Sequence, residues 1–172
     1  AERGVFKTQD GGKSWEKVLF VSDSTGAIDI IINPKNPKQV FASTWERVRR
    51  INRRTYGGKT SAIYKSEDEG KSWTELVNGL PVKSSNNGRI GLSMSQQDPK
   101  IIYAVYADQV GYFSGLYKTI DGGNNWNRLN DAVLTDVFAS YGWWFGHVQV
   151  DPNNDDIVYV IGYDTYKSED GG

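Results

Sequence analysis

Cysteine is absent from the chain, and histidine and methionine occur once each. Disulfide scaffolds, cysteine zinc sites, iron–sulfur clusters and thiol nucleophiles are thereby excluded. Proline is sparse, at 5 of 172 residues. No apolar run approaches the roughly 18–20 residues of a membrane-spanning helix. Neither sign of charge is in excess: 20 Lys and Arg face 21 Asp and Glu, leaving −1. Bulk electrostatics therefore directs the chain toward neither nucleic acid nor an anionic membrane. The opening Ala1-Glu2-Arg3-Gly4 lacks the marks of a signal peptide. What is plentiful is glycine (19) together with tryptophan (6) and tyrosine (10), a mixture suited to short strands joined by tight turns. No stretch sustains a helical period.

At about 150 residues per domain, length alone suggests one domain; internal repeats suggest otherwise. Phe6-Lys7-Thr8-Gln9-Asp10-Gly11-Gly12-Lys13-Ser14-Trp15 recurs as Tyr64–Trp73 and as Tyr117–Trp126, and begins a fourth time at Tyr166-Lys167-Ser168-Glu169-Asp170. The Asp-to-Asp spacings are 58, 53 and 49 residues (68−10, 121−68, 170−121), in the range of four-stranded propeller blades. Between these motifs lies a second repeated block: alternating apolar residues, a Pro/Asn/Asp turn, then a β-branched and aromatic run. Ile30 to Phe41, Leu92 to Tyr103 and Val148 to Tyr159 each span eleven residues, and each reads as a β-hairpin. The expected fold class is all-β: a β-propeller segment of four-stranded antiparallel blades, about three blade-equivalents, not a closed ring on its own. Residues 4–22 supply the last two strands of one blade, 26–78 and 88–131 are whole blades, and 146–172 begin another. The phase of the repeat marks the chain as part of one larger propeller, whose remaining blades are its first expected partners.

The repeated turn has its own chemistry. Gly12, Gly70 and Gly123 permit backbone conformations that other residues resist. Asp10, Asp68, Asp121 and Asp170 can accept amide hydrogens from the loop, and Thr8, Ser66, Thr119 and Ser168 can bond across it. Trp15, Trp73 and Trp126 are expected to lie flat on the hairpin and pack between neighbouring sheets. These are structural roles, since a turn needs the same Asp at every repeat and catalysis rarely does.

Thr/Ser-x-Asp-x-Gly-x-Ser/Asn-Trp resembles the Asp-box, or bacterial neuraminidase repeat, across the whole chain. The wording between boxes is similar to that of large secreted sortilin-like repeat proteins of bacteria: Glu2–Thr8, Thr25-Gly26-Ala27-Ile28-Asp29, Trp45-Glu46-Arg47 and Gly88-Arg89-Ile90-Gly91. The resemblance implies a propeller and an extracellular, cell-surface or periplasmic location. Because that fold hosts sialidases, xyloglucanases, sortilin-type receptors and assembly factors, it selects no activity by itself.

Two segments stand out as binding candidates. Trp45 to Arg54 carries Arg47, Arg49, Arg50, Arg53 and Arg54 within eight positions, on the longest link between second and third strands of any repeat. A guanidinium cluster suits carboxylate, sulfate or phosphate groups; a solvated or salt-bridged loop is the plainer reading. Tyr141-Gly142-Trp143-Trp144-Phe145-Gly146-His147 precedes the innermost strand of the last blade. Its rings could stack on a sugar, grip a peptide or pack on another blade. His147 has no local triad partners. Gly12-Lys13-Ser14, Gly58-Lys59-Thr60 and Gly70-Lys71-Ser72 lack the first glycine of a phosphate loop. Asp151 to Asp156 has oxygen ligands but neither the glycine nor the distal glutamate of a calcium loop. No metal, cofactor or nucleic-acid partner is expected. The expected function is a non-catalytic interaction scaffold for protein, peptide or glycan. A sialidase- or xyloglucanase-like glycoside hydrolase is the alternative, with Asp29 and Glu46 as cleft acids to consider, and an assembly or secretion factor the second alternative.

Overall fold

A computed structural model describes residues 2–172. The chain forms β1 (Val5–Lys7), β2 (Glu16–Leu19), β3 (Thr25–Ile32), β4 (Val40–Glu46), β5 (Val48–Arg49), β6 (Arg54–Thr55), β7 (Ile63–Ser66) and β8 (Thr74–Leu76). It continues through β9 (Asn87–Met94), β10 (Ile102–Asp108), β11 (Phe113–Thr119), β12 (Asn127–Arg128), a single 3-10 turn at Ala132–Leu134, β13 (His147–Asp151), β14 (Asn154–Ile161) and β15 (Thr165–Ser168). All pairings are antiparallel. The main sheets run β1-β2, β3-β4-β7-β8, β9-β10-β11-β12 and β13-β14-β15, and β5-β6 is a small separate hairpin. Among the described residues they form an open run of blades, not a closed ring.

Side-chain alternation decides which faces meet. Leu92 and Met94 of β9 turn toward Phe41 and Ile63 of the sheet before it, while Val148 and Val150 of β13 pack with Tyr103 and Val105. The core therefore lies between sheets, as stacked twisted blades require. Polar bonds register the inner strands. The Ser43 hydroxyl donates to the Ile90 carbonyl (2.7 Å), and the Val150 amide donates to the Ser93 hydroxyl (3.0 Å). A bulge between Ala27 and Asp29 re-aims the Asp29 carboxylate, which accepts the Leu92 amide at 2.9 Å.

The repeated tryptophans correct one expectation, that all three pack between sheets. Trp126 is buried against the complete sheet before it, and Trp73 is half-buried against the two-stranded β1-β2 sheet. Trp15 is 60% exposed, because each indole packs back on the preceding sheet and among the described residues no sheet precedes β1. Ile30 and Ile32 of β3 are exposed because the sheet before them, β1-β2, has only two strands, whereas Leu92 and Met94 at the matching positions of β9 face a four-stranded sheet and are buried. An apolar cleft of about 380 Å³, lined by Val5, Phe6, Ile30, Ile32 and Trp73, separates β1-β2 from β3.

Register also sorts the connections onto two faces. Thr25 pairs with Glu46, Asn87 with Asp108 and His147 with Ile161. The start of each innermost strand thus lies beside the end of its neighbour, so the arginine loop and the aromatic segment share one face. Val40 pairs with Ser66 and Ile102 with Thr119, which puts the Asp-Gly turns on the other.

Candidate functional site

On the turn face, the same bonds recur at each repeat. The Thr8 hydroxyl donates to Asp10 Oδ1 (2.8 Å) and accepts the Gly12 amide (2.8 Å). The Lys13 and Ser14 amides donate to Asp10 Oδ1, each at 2.9 Å, and the Ser14 hydroxyl to Oδ2 at 2.6 Å. Ser72 serves Asp68 in the same way, and Asn125 serves Asp121. At the fourth turn the Ser168 hydroxyl donates to Asp170 at 2.6 Å and accepts the Gly172 amide at 2.7 Å. These donors stabilise the charged form. Asp10 is pushed down to about 2, chiefly by the Ser14 hydroxyl; Asp68 to about 2, chiefly by the Ser72 hydroxyl; and Asp121 to about 2, chiefly by the Asn125 amide. A carboxylate held this way is a poor general acid at neutral pH.

On the opposite face, Trp45 lies at the end of β4 and Arg47 directly follows the strand. The Trp45 indole is buried and donates to the Tyr56 carbonyl at 2.6 Å. The Arg47 guanidinium lies 4.9 Å from the Trp45 ring and 5.8 Å from that of Tyr56, a cation–π stack on two sides. Arg49, Arg50, Arg53 and Arg54 belong to the β5-β6 hairpin and project into solvent. The cluster is thus divided: one arginine is built into an aromatic setting, and four form a solvated tip.

The aromatic segment arrives at the same place from about ninety residues later in the chain. Tyr56 lies 5.7 Å from Trp143, which in turn is 6.4 Å from Tyr141 and 5.8 Å from Trp144. Ala139 and Ser140, at φ of 44° and 71°, hold the turn that presents these rings. Such left-handed backbone is costly for non-glycine residues and often marks functional segments. The Trp143 indole donates back to the Ser140 carbonyl (3.0 Å) and the Gly142 amide to the Gly111 carbonyl (2.7 Å). Tyr141 and Trp144 remain exposed, at 47% and 64%.

Sequence reasoning missed Arg89 and Tyr56 as members of this site. Arg89 Nη1 donates to the Trp144 carbonyl at 3.1 Å, tying β9 to the aromatic segment. Burial pushes the Arg89 guanidinium below its ordinary value; the Asp29 carboxylate opposes this and the Arg47 charge adds to it. Among the described residues neither arginine forms an ion pair, and the Nε of each is buried without a hydrogen-bond partner. Gly88-Arg89-Ile90-Gly91 was visible as a motif, but only the β3-β9-β13 packing reveals what Arg89 faces. Nothing in the sequence singles out Tyr56.

The two cleft acids under consideration are occupied elsewhere. Asp29 accepts the Ile30 amide (2.9 Å) besides that of Leu92. Glu46 accepts the Thr60 hydroxyl at 2.8 Å, and Gly58 leaves room for its carboxylate: a Cβ there would lie 2.0 Å from Glu46 Oε2. His147 opens β13 opposite Ile161, and among the described residues no hydrogen bond joins its imidazole to Ser or Asp. No group of three or more His, Asp and Glu side chains converges to hold a metal ion among the described residues. Among the described residues no helix is long and apolar enough to cross a membrane.

Fold and face together define a class: consecutive four-stranded propeller blades with repeated Asp-Gly turns on one side and an arginine–aromatic face on the other. The Sortilin-Vps10 family model, described as sortilin, neurotensin receptor 3, matches residues 3–171, and the chain belongs to that family. It is 31% identical over 78 residues to vacuolar protein sorting/targeting protein 10 of Fusarium vanettenii, covering 45% of this chain and 4% of that one. It is 21% identical over 201 residues to xyloglucanase Xgh74A of Acetivibrio thermocellus, covering 94% of this chain and 22% of the enzyme. The GH74 xyloglucanase of Xanthomonas campestris superposes with a TM-score of 0.69 at 19% identity, over 96% of this chain and 24% of that one. YCF48 bound to D1 peptide superposes with a TM-score of 0.55 at 12% identity, over 87% and 38%. The chain therefore spans less than a quarter of the curated relatives it matches, and the structural likenesses concern the fold.

Proposed function

We propose that this chain is part of a non-catalytic propeller scaffold, secreted or displayed at a bacterial surface, that binds a protein, peptide or glycan. The observation that carries the reading is the convergence of Arg47, Tyr56, Arg89 and Trp143–Trp144 from three separate segments onto one face, with two guanidiniums that form no ion pair among the described residues. Asp10, Asp68 and Asp121 serve as turn formers, and their depressed carboxyl values support that role over proton transfer. Further blades complete the ring: a preceding sheet covers Trp15, and further strands beside β1-β2 cover Ile30 and Ile32.

The likeness to xyloglucanases favours a second reading, part of a glycoside hydrolase. Such chemistry needs two carboxyl groups facing each other across a cleft, whereas Asp29 and Glu46 are engaged with amides and a hydroxyl. An assembly or secretion factor is the other alternative, and YCF48 bound to D1 peptide is a precedent for a protein of similar fold holding a peptide. The test is to incubate the full-length protein with xyloglucan and with sialosides while measuring reducing ends and free sialic acid. In parallel, retention is measured on glycan and peptide arrays. Retention without turnover is expected; turnover abolished by Asp29→Asn or Glu46→Gln refutes the scaffold reading.

A further inference from the structure

The polar equipment of the arginine–aromatic face is one-sided. Arg47 and Arg89 offer donors, and each has a buried Nε with no acceptor. The nearby carboxylates, Asp29 and Glu46, accept backbone amides and the Thr60 hydroxyl, and among the described residues neither bonds to Arg47 or Arg89. An extended peptide brings an amide hydrogen at nearly every residue and would find few acceptors among these side chains. A ligand rich in acceptors suits the face better. Beside the guanidiniums stand the exposed rings of Tyr141, Trp144 and Phe145, whose broad apolar surfaces match the C–H face of a pyranose. The bond from Arg89 to the Trp144 backbone carbonyl ties that guanidinium to the segment that carries the exposed indole.

We infer that this face binds an acidic oligosaccharide, with a sugar carboxylate accepted between Arg47 and Arg89 and neighbouring sugars stacked on Trp144 and Tyr141. A planar carboxylate can take paired N–H donors from a guanidinium fork. It also relieves the repulsion between two like charges. Burial disfavours the Arg89 charge and Asp29 offsets this only in part, so a bound anion gains from neutralising it. The inference rests on the scaffold reading and narrows it to one ligand class.

The test is calorimetric titration of the full-length protein with tetragalacturonate, its methyl ester, neutral cellotetraose and an acidic peptide of similar length. Tetragalacturonate is expected to bind at least about tenfold more tightly than its ester, the worth of one charge-assisted pair. Arg89→Gln should weaken it by about 10- to 100-fold. Trp144→Ala, at an exposed position that leaves the fold intact, should weaken it by about fivefold. Equal binding of acid and ester, or no effect of Trp144→Ala, overturns the inference. Binding of the peptide alone overturns the ligand class while leaving the scaffold intact. Failure of all four probes to bind a natively folded protein that turns over xyloglucan overturns both.

Discussion

The graded burial of three equivalent tryptophans makes a stability test with an internal control. Trp126 is 3% exposed, packs with Phe41, Ile63 and Leu76, and donates from its indole to the Gly123 carbonyl at 3.2 Å. Truncation to alanine removes that packing and leaves a cavity between two sheets, at a cost of about 3–5 kcal/mol. Trp15 makes the same indole bond to Gly12, also 3.2 Å, but is 60% exposed, so Trp15→Ala in this chain should cost under about 1 kcal/mol. Urea denaturation followed by circular dichroism reads both. With a slope of about 2 kcal/mol per molar, Trp126→Ala should move the midpoint down by about 2 M and Trp15→Ala by less than 0.5 M. The same substitutions in the longer protein should converge, because a preceding sheet would then cover Trp15. A Trp15→Ala cost equal to that of Trp126→Ala in the 172-residue chain would refute the reasoning, since the indole would then owe its value to its own turn.

Three further substitutions or conditions follow from the turns and the face. Glu69 has φ of 65° where the other turns carry Gly11, Gly122 and Gly171, and its exposed contact with Lys7 is 3.7 Å. Glu69→Gly should raise stability by about 0.5–1 kcal/mol in thermal melts, as relief of left-handed strain exceeds the loss of a surface pair. Asp10, Asp68 and Asp121 have folded values of about 2, below the roughly 3.9 of an unfolded chain. Their contribution is therefore complete above about pH 5 and lost as pH falls from 4 through 2. Melting temperature against pH should show that acid limb, with a shallower slope in Asp68→Asn; an unchanged slope would remove the turn carboxylates from the explanation. Gly58→Ala should destabilise by about 1 kcal/mol by pushing the Glu46 carboxylate off the Thr60 hydroxyl. The Gly58→Ala/Glu46→Ala double variant should lose less than the two single costs added.

The all-β propeller class was legible because its signals are local. Alternation at Ile30–Ile32, Leu92–Met94 and Val148–Val150 fixes which side of each strand is apolar, and Asp-Gly turns punctuate at blade length. The turn geometry was legible for the same reason: Thr8, Asp10 and Gly12 are bonded within four residues. Tryptophan burial was not, because it depends on the sheet that lies before each turn. Trp15 and Trp126 share a motif and differ only in that neighbour.

The face illustrates the remaining limit. Its members lie at 45–47, 56, 89 and 141–144, and no short-range pattern relates them. Composition drew attention to five arginines, yet charge density is a poor guide to a site. Arg49, Arg50, Arg53 and Arg54 are dense because a two-stranded hairpin can leave its side chains in water at little cost. Arg47 and Arg89 stand singly, and each is held by aromatic or backbone partners with its Nε buried. A desolvated cation must be compensated somewhere. Among the described residues no protein carboxylate supplies that compensation as an ion pair, which is why these two, rather than the conspicuous four, direct attention to a ligand.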